Sequence, residues 1–307
     1  MSAAIEIEGL TKVYGFGDEE VKAVDGLDLS IGRGEVFGFL GPNGAGKTTT
    51  VQMLMQIIFP TSGQARLLGS PIGDISAREK IGYLPEMFQF HDFLRAEEFL
   101  DFHARLYGMP AAERKRRIGE VLELVGLKES ARSRIRTYSK GMLQRIGIGQ
   151  AIINKPEVLF LDEPTSALDP LGRRDVRDLI LSLRDEGTTV FLNSHLLSEV
   201  EMTCSQIGIL NKGKLIRLGD IESLVQPTHC VDIRVEGLPA EALDKIRKVA
   251  ANIEGSNGDM TVMLKDEAQV SLLAKIIMES GAVLREFTPR SQQLEEIFVQ
   301  SIEESGA

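Results

Sequence analysis

The 307-residue sequence contains no tryptophan and only two cysteines, Cys204 and Cys230. Two cysteines without metal-ligand spacing supply neither a structural zinc site nor a disulfide framework, and a reducing compartment is the simplest expectation. Long apolar runs are also missing. None approaches the ~18–20 residues that a membrane-spanning helix needs, so the chain is not expected to cross a bilayer by itself. The opening Met1-Ser2-Ala3-Ala4-Ile5-Glu6 does not form a secretion signal. Positive charge is the scarcer sign. With 35 Lys and Arg against 45 Asp and Glu, the net charge of −10 argues against nucleic acid as a partner and leaves room only for a local basic surface. Hydrophobic content of 43% and charged content of 26% are those of an ordinary globular protein, and the length suits one large domain and one small one.

What is present centres on Gly41-Pro42-Asn43-Gly44-Ala45-Gly46-Lys47-Thr48-Thr49. The apolar Val36-Phe37-Gly38-Phe39-Leu40 runs into it, and a helical pattern over Thr50–Ile57 runs out. Strand, glycine-rich loop and helix start are the context in which G-x-x-x-x-G-K-[ST] cradles phosphate. Without side chains at Gly41, Gly44 and Gly46, backbone N–H groups can converge on phosphate oxygens. The helix beginning near Lys47 adds its positive dipole end. Lys47 can then reach the β- and γ-phosphates, and the Thr48 hydroxyl can ligate Mg²⁺.

Upstream, Ala4–Glu8 and Val21–Ile31 alternate as strands, with the turn-prone Asp25-Gly26 inside the second. They predict an antiparallel layer. Tyr14 on this layer reads equally as a half-buried strand tyrosine and as a ring that stacks on a nucleotide base. Downstream, Gln64–Gly69 and Ile81–Leu84 read as strands. Glu86, just past the second, is either a surface carboxylate or a group facing bound metal or water. From about Glu97 to Ile153 the pattern turns helical. Arg114-Lys115-Arg116-Arg117, Arg132, Arg134 and Arg136 make that stretch basic. A solvated face is the simpler reading, and an anionic membrane surface or acidic partner the sharper one. Ser139 is placed to cap the next helix. A cap does not explain Gly141 in its first turn, where glycine costs up to about 1 kcal/mol relative to alanine; close approach to an anion would.

Pro156–Leu161 is a buried-strand signal ending in Asp162-Glu163. Two adjacent carboxylates there need partners. Beside a phosphate loop, Asp162 is the expected Mg²⁺ holder, and Glu163, pointing the other way, could accept a proton from water. Thr188–His195 is a strand ending in a histidine on the same sheet edge. Ile207–Gly219 is a hairpin around Lys212-Gly213. Gln226-Pro227-Thr228-His229 reads as a linker. After it come a strand (231–235), a helix (239–251), a strand (260–264), a helix (267–278), a strand (283–287) and a helix (292–302), a small α+β unit.

These segments together resemble the ATP-binding subunit of an ABC transporter, over roughly residues 4–224. Gly41–Thr49 is similar to the Walker A loop, Leu159–Pro164 to Walker B with its catalytic glutamate, Ser166-Ala167-Leu168-Asp169 to the D-loop, His195 to the switch histidine, and Tyr14 to the base-stacking aromatic. Two positions depart from the family pattern. The signature Leu-Ser-Gly-Gly-Gln is Tyr138-Ser139-Lys140-Gly141-Met142, and the Q-loop glutamine is Glu86, which cannot donate a hydrogen bond when ionised. Both variants, with a C-terminal extension closing on Leu294-Glu295-Glu296-Ile297-Phe298, resemble the drug, antibiotic and sodium exporter branch.

The resemblance implies an α/β fold of the P-loop NTPase class over residues 1–225. That fold has a RecA-like core, an N-terminal antiparallel β layer and a helical subdomain at about 87–155. Residues 226–307 would form the small α+β domain. It further implies two cassettes pairing head to tail, ATP with Mg²⁺ held between Lys47 of one and Ser139 and Gly141 of the other, Glu163 as general base and His195 on the γ-phosphate. A separate polytopic membrane subunit would hold the pair at the cytoplasmic side of the cell membrane, contacting residues 86–106. The competing readings are an ABC ATPase with no transport role, a non-catalytic nucleotide sensor and a P-loop kinase.

Overall fold

The structure, a computed structural model, describes residues 3–166, 168–225, 227–256, 258–266, 268–291 and 293–306. Met1, Ser2, Ala167 of the D-loop-like stretch, Gln226 of the expected linker, Glu267 and Gln292 at two expected helix starts, and Ala307 lie outside the described residues. The chain divides into two units, Met1–Ile221 with Phe298–Ala307, and Glu222–Ile297.

The first unit runs β1 (Ile5–Tyr14), β2 (Val21–Ile31), β3 (Val36–Leu40), α1 (Lys47–Leu54), β4 (Ser62–Leu67), β5 (Ser70–Pro71), α2 (Ile75–Arg78), β6 (Ile81–Leu84), α3 (Ala96–Leu106), α4 (Ala111–Leu124), α5 (Lys140–Ala151), β7 (Val158–Asp162), α6 (Pro170–Asp185), β8 (Thr189–Asn193), α7 (Leu197–Thr203), β9 (Gln206–Asn211) and β10 (Lys214–Asp220). β2, β1, β4 and β5 form the antiparallel layer in that order. Alternation buries Ile5, Ile7 and Leu10 of β1 against Val24, Leu27 and Leu29 of β2. Asp25-Gly26 does not reverse the chain. Gly26 takes φ 63°, its N–H donates to Thr11 Oγ1 at 3.0 Å, and the ladder shifts register nearby. The glycine is absorbed as a bulge within one strand.

The second sheet has the order β10-β9-β3-β8-β7-β6. β9, β3, β8, β7 and β6 are parallel, and β10 returns antiparallel through the expected hairpin. Every residue of β3, β7 and β8 is buried, as a sheet covered on both faces requires. Phe39 and Phe160 pack on Phe191 with ring centroids 5.2 and 5.3 Å away. These rings share one core with the antiparallel layer. Pairing of Phe39 and Asp162 with Asn193, and of Leu84 with Leu161, aligns the carboxyl ends of β3, β6, β7 and β8. Ligands bind outside that edge in open α/β sheets.

The basic run in the helical segment does not form a solvated face throughout. Arg117 is buried, and its Nε and Nη2 donate to the carbonyls of Ile153 (3.1 Å) and Ile152 (2.6 Å) just past the end of α5. A cation there satisfies carbonyls that the helix leaves free. Arg114 donates to Asp101 of α3 at 2.7 Å. Arg132, Arg134 and Arg136 are exposed.

The second unit begins within α8 (Ile221–Leu224) and continues β11 (Pro227–Glu236), α9 (Ala240–Val249), β12 (Ala250–Ser256), β13 (Asp259–Leu264), α10 (Ala268–Glu279) and β14 (Val283–Ser291). Its antiparallel sheet has the order β12-β13-β11-β14, so the βαββαβ chain folds as a ferredoxin-like unit. Val231, Ile233, Val262, Ile246, Leu273 and Ile277 fill its core. Two expectations are corrected here. Pro227, Thr228 and His229 are strand rather than linker, because Pro227 pairs with Ser291. The helix expected to reach Ala251 ends at Val249, and Ala250 already pairs with Leu264 of β13. The last helix, α11 (Leu294–Gly306), starts in the second unit and finishes in the first. There Asn211 Nδ2 donates to Ser305 Oγ at 2.7 Å, and Arg217 Nη1 to Ser301 Oγ at 3.3 Å. The final residues, assigned by pattern to the small domain, therefore belong with the sheet.

Phe191 is fully buried among the sheet phenylalanines. Phe191→Ala should cost the first unit about 3–5 kcal/mol, read as a lower urea midpoint for its unfolding. An unchanged midpoint would contradict the assigned core.

Candidate nucleotide site

β3 delivers the chain to the sheet edge, where Gly41–Gly46 turns into α1. The loop has no room for side chains at its two ends. A Cβ on Gly41 would lie 2.3 Å from the Leu210 carbonyl oxygen, and one on Gly46 2.1 Å from that of Ala23. Gly46 also takes φ 108°, a left-handed conformation that glycine tolerates. It caps α1 without a side-chain hydrogen bond, so the first-turn N–H groups face outward as an anion site. Lys47 is buried, and its Nζ donates to the carbonyls of Gly41 (2.6 Å) and Pro42 (3.2 Å). Burial lowers its pKa, opposed by the charges of Glu163, Asp162 and Glu86.

Asp162 ends β7 and is 1% exposed. Burial pushes its carboxyl up to about 6. A hydrogen bond from Asn193 and the charge of Lys47 oppose that, and the charges of Glu86 and Glu163 add to it. Thr48 Oγ1 donates to Asp162 Oδ2 at 3.5 Å. Glu163 follows with φ 53°, rare for a residue with a side chain and a form of strain that gathers at functional sites. Its N–H donates to the Asn193 carbonyl at 2.8 Å, and its carboxylate departs from the line of β7. His195, two residues beyond β8, brings Nδ1 to 2.7 Å from Glu163 Oε2. A carboxylate only accepts, so Nδ1 carries the proton in this pair, and the His195 ring itself is exposed.

Lys47, Thr48, Glu163 and His195 share a cavity of about 550 Å³, lined by Asn43–Thr49, Glu86, Glu163, Asn193, His195 and Ala23, while the buried Asp162 touches Thr48 and Asn193 of that lining. Glu86 is exposed at its wall. Two of these residues carry no motif. Ala23 enters through its backbone, against Gly46. Asn193 is 1% exposed, donates to Asp162 Oδ1, and keeps its own Oδ1 buried without a partner. The available signal for Asn193 was an amide ending an otherwise apolar strand. A buried carboxyl with raised proton affinity, a hydroxyl beside it and an orphan amide oxygen suit a hydrated hard cation such as Mg²⁺.

The remaining candidates lie elsewhere. Tyr14 ends β1 opposite Val21, is 42% exposed, and has Lys12 Nζ 5.1 Å from its ring centroid. Ser139 caps α5 by accepting from the Met142 N–H at 3.3 Å. A Cβ on Gly141 would lie 3.3 Å from Leu168 Cδ2, so packing against that loop is one reason for the glycine. Neither Ser139 nor Gly141 lines the cavity. Asp169 accepts from the Gly172 N–H at 2.8 Å and caps α6.

The family model for the ABC transporter domain matches residues 24–166. The ABC transporter ATP-binding protein sll0415 of Synechocystis is 40% identical over 98% of this chain and 85% of its own length. The chain belongs to the ABC transporter ATP-binding family. The cassette is also 33% identical to the bacitracin transport ATP-binding protein BcrA of Bacillus licheniformis, over 98% of both chains. Among solved structures, it is similar to the dimeric post-hydrolysis cassette MJ0796 bound to ADP and Pi. That match has a TM-score of 0.66 and 26% identity over 71% of this chain and 99% of that one. The first unit thus has the P-loop NTPase fold expected of it.

The loop geometry is testable apart from turnover. Gly46→Ala, with its Cβ driven into the Ala23 carbonyl, should abolish tripolyphosphate binding in calorimetry and lower the melting temperature. Binding within threefold of the parent protein would show that the loop is not built as described.

Proposed function

We propose that this cassette binds and hydrolyses ATP with Mg²⁺ as the ATPase subunit of an ABC exporter. The observation that carries the reading is the convergence of Lys47, Thr48, Asp162 and the Glu163–His195 pair at one sheet edge. Lys47 exchanges its loop carbonyls for β- and γ-phosphate oxygens, and the α1 N-terminus meets the same charge. Thr48 and Asp162 would hold Mg²⁺, with Glu86 as a further candidate ligand. The ion would neutralise the triphosphate. Glu163 takes a proton from the water that attacks the γ-phosphorus, as the bond to the bridging oxygen of ADP breaks. His195 keeps that carboxylate aimed through Nδ1–H, and its Nε2 donates to the γ-phosphate only when both ring nitrogens carry protons. A bare nucleotide sensor has no use for this pair.

Tyr14 provides a platform for the base. Ser139 and Gly141, outside the cavity of their own chain, would serve the nucleotide of a second copy. The post-hydrolysis dimer of the similar cassette supports that arrangement. Among the described residues no helix is long and apolar enough to cross a membrane, so the transport path falls to a separate membrane subunit. A second cavity of about 610 Å³, walled by Ile57, Ile75, Phe88, Leu106 and Tyr107, supports its docking around residues 86–106, on the cytoplasmic side. The name of another relative, the Nod factor export ATP-binding protein I of Ralstonia nicotianae, supports export.

General-base assistance is typically worth about 10²–10⁴-fold. Glu163→Gln should therefore cut phosphate release at least about 100-fold while ATP still binds, and should trap an ATP-dependent dimer in sedimentation. Turnover near that of the parent protein would remove Glu163 from the mechanism. Lys47→Ala should weaken ATP binding and hydrolysis together, and unchanged affinity in calorimetry would count against its phosphate role.

A further inference from the structure

Among the described residues, the most exposed large apolar side chain is Phe16, at 93%. It stands at the tip of the β1–β2 hairpin, whose ladder closes at Tyr14 opposite Val21. Gly15 at φ 82° and Gly17 at φ 64° flank it. At Gly15 the tightness is visible, because a Cβ there would lie 2.4 Å from the Glu19 carbonyl oxygen. The tip is thus a tight, glycine-framed turn that holds one aromatic ring outward. Burying a ring is among the larger favourable terms in folding, and this one is left for something outside the chain.

The hairpin is anchored to the phosphate loop. Ala23 of β2 lines the cavity and its carbonyl abuts Gly46. Asp25 N–H donates to the Gly213 carbonyl and Gly213 N–H to that of Ala45, each at 2.9 Å. Outward from Ala23, β2 rises by about 3.3 Å per residue to Val21, 62% exposed, beside Tyr14 at 42%. Along the hairpin, the paired and exposed Val21 and Tyr14 therefore stand between Ala23 at the phosphate cradle and Phe16 at the tip. A nucleotide with its phosphates in the loop must carry its ribose and base out of the cavity. Lys12 already stands over the Tyr14 ring, which leaves a base less of that surface to stack on. The exposed Glu19 and Glu20 next to the tip repel phosphate surfaces such as an anionic bilayer but not an uncharged base.

We propose that Phe16 is a second base-contact residue, packing its ring on the purine of the bound nucleotide beyond Tyr14. The proposal rests on the nucleotide reading above and adds to it the residue that distinguishes a base from bare phosphate.

The absence of tryptophan makes Phe16→Trp a single-fluorophore reporter in the full chain. Its emission should change on saturation with ATP or ADP and stay constant with tripolyphosphate. Phe16→Ala should lose about fivefold or more in ATP affinity by calorimetry, the lower end for base–aromatic stacking, with tripolyphosphate affinity unchanged. The proposal is overturned by an alanine variant within twofold of the parent protein for ATP. Equal losses for ATP and tripolyphosphate, or a tryptophan silent at nucleotide saturation, overturn it as well. A parent protein that binds neither ligand is a separate result, and it would remove the nucleotide reading itself.

Discussion

The structure depends on how tightly one backbone turn is held. The loop Gly41–Gly46 is gripped from two sides, by the Ala23 carbonyl of β2 against Gly46 and by the β9–β10 hairpin, whose Gly213 N–H bonds Ala45 and whose Leu210 carbonyl abuts Gly41. These contacts are made by main chain, so they fix the loop without occupying the space a phosphate needs. They also explain why the antiparallel layer and the parallel sheet share one core. The layer is one of the jaws. Pre-ordering donors in this way spares a ligand the cost of arranging them.

The charges around the loop are organised by burial. Asp162 and Lys47 both lie inside the protein, and each has its proton affinity moved toward the neutral form, as desolvation dictates. Each charge partly offsets the other's. Glu163 is buried as well, and its backbone conformation turns its carboxylate to His195 rather than to Asp162. Two adjacent carboxylates thereby obtain separate surroundings and can take separate roles.

Much of this was legible in the sequence, because the signals were local. A glycine-rich loop between a strand and a helix, acids and a histidine just past apolar strands, and Lys212-Gly213 between two strand patterns each sit within a few residues. What was not legible arises between distant segments. Asn193 matters because register sets it beside Asp162. Arg117 looked like surface until α4 laid it across the end of α5. Pro227–His229 looked like a linker because proline resembles a break, yet β14 supplies a pairing partner. Ala250 and Ala251 were read as the end of a helix, but pairing with β13 draws them into β12, as tertiary pairing commonly does.

The closing turns of α11 give the smaller unit an unusual genetic position. It is inserted between Ile221 and Phe298 rather than appended, so the polypeptide must return to complete the body it left. Ser305 then bonds Asn211, two residues before the Gly213 that braces Ala45. A frameshift or premature stop anywhere in the inserted region would consequently reach the back of the phosphate loop, although it deletes no residue of that loop.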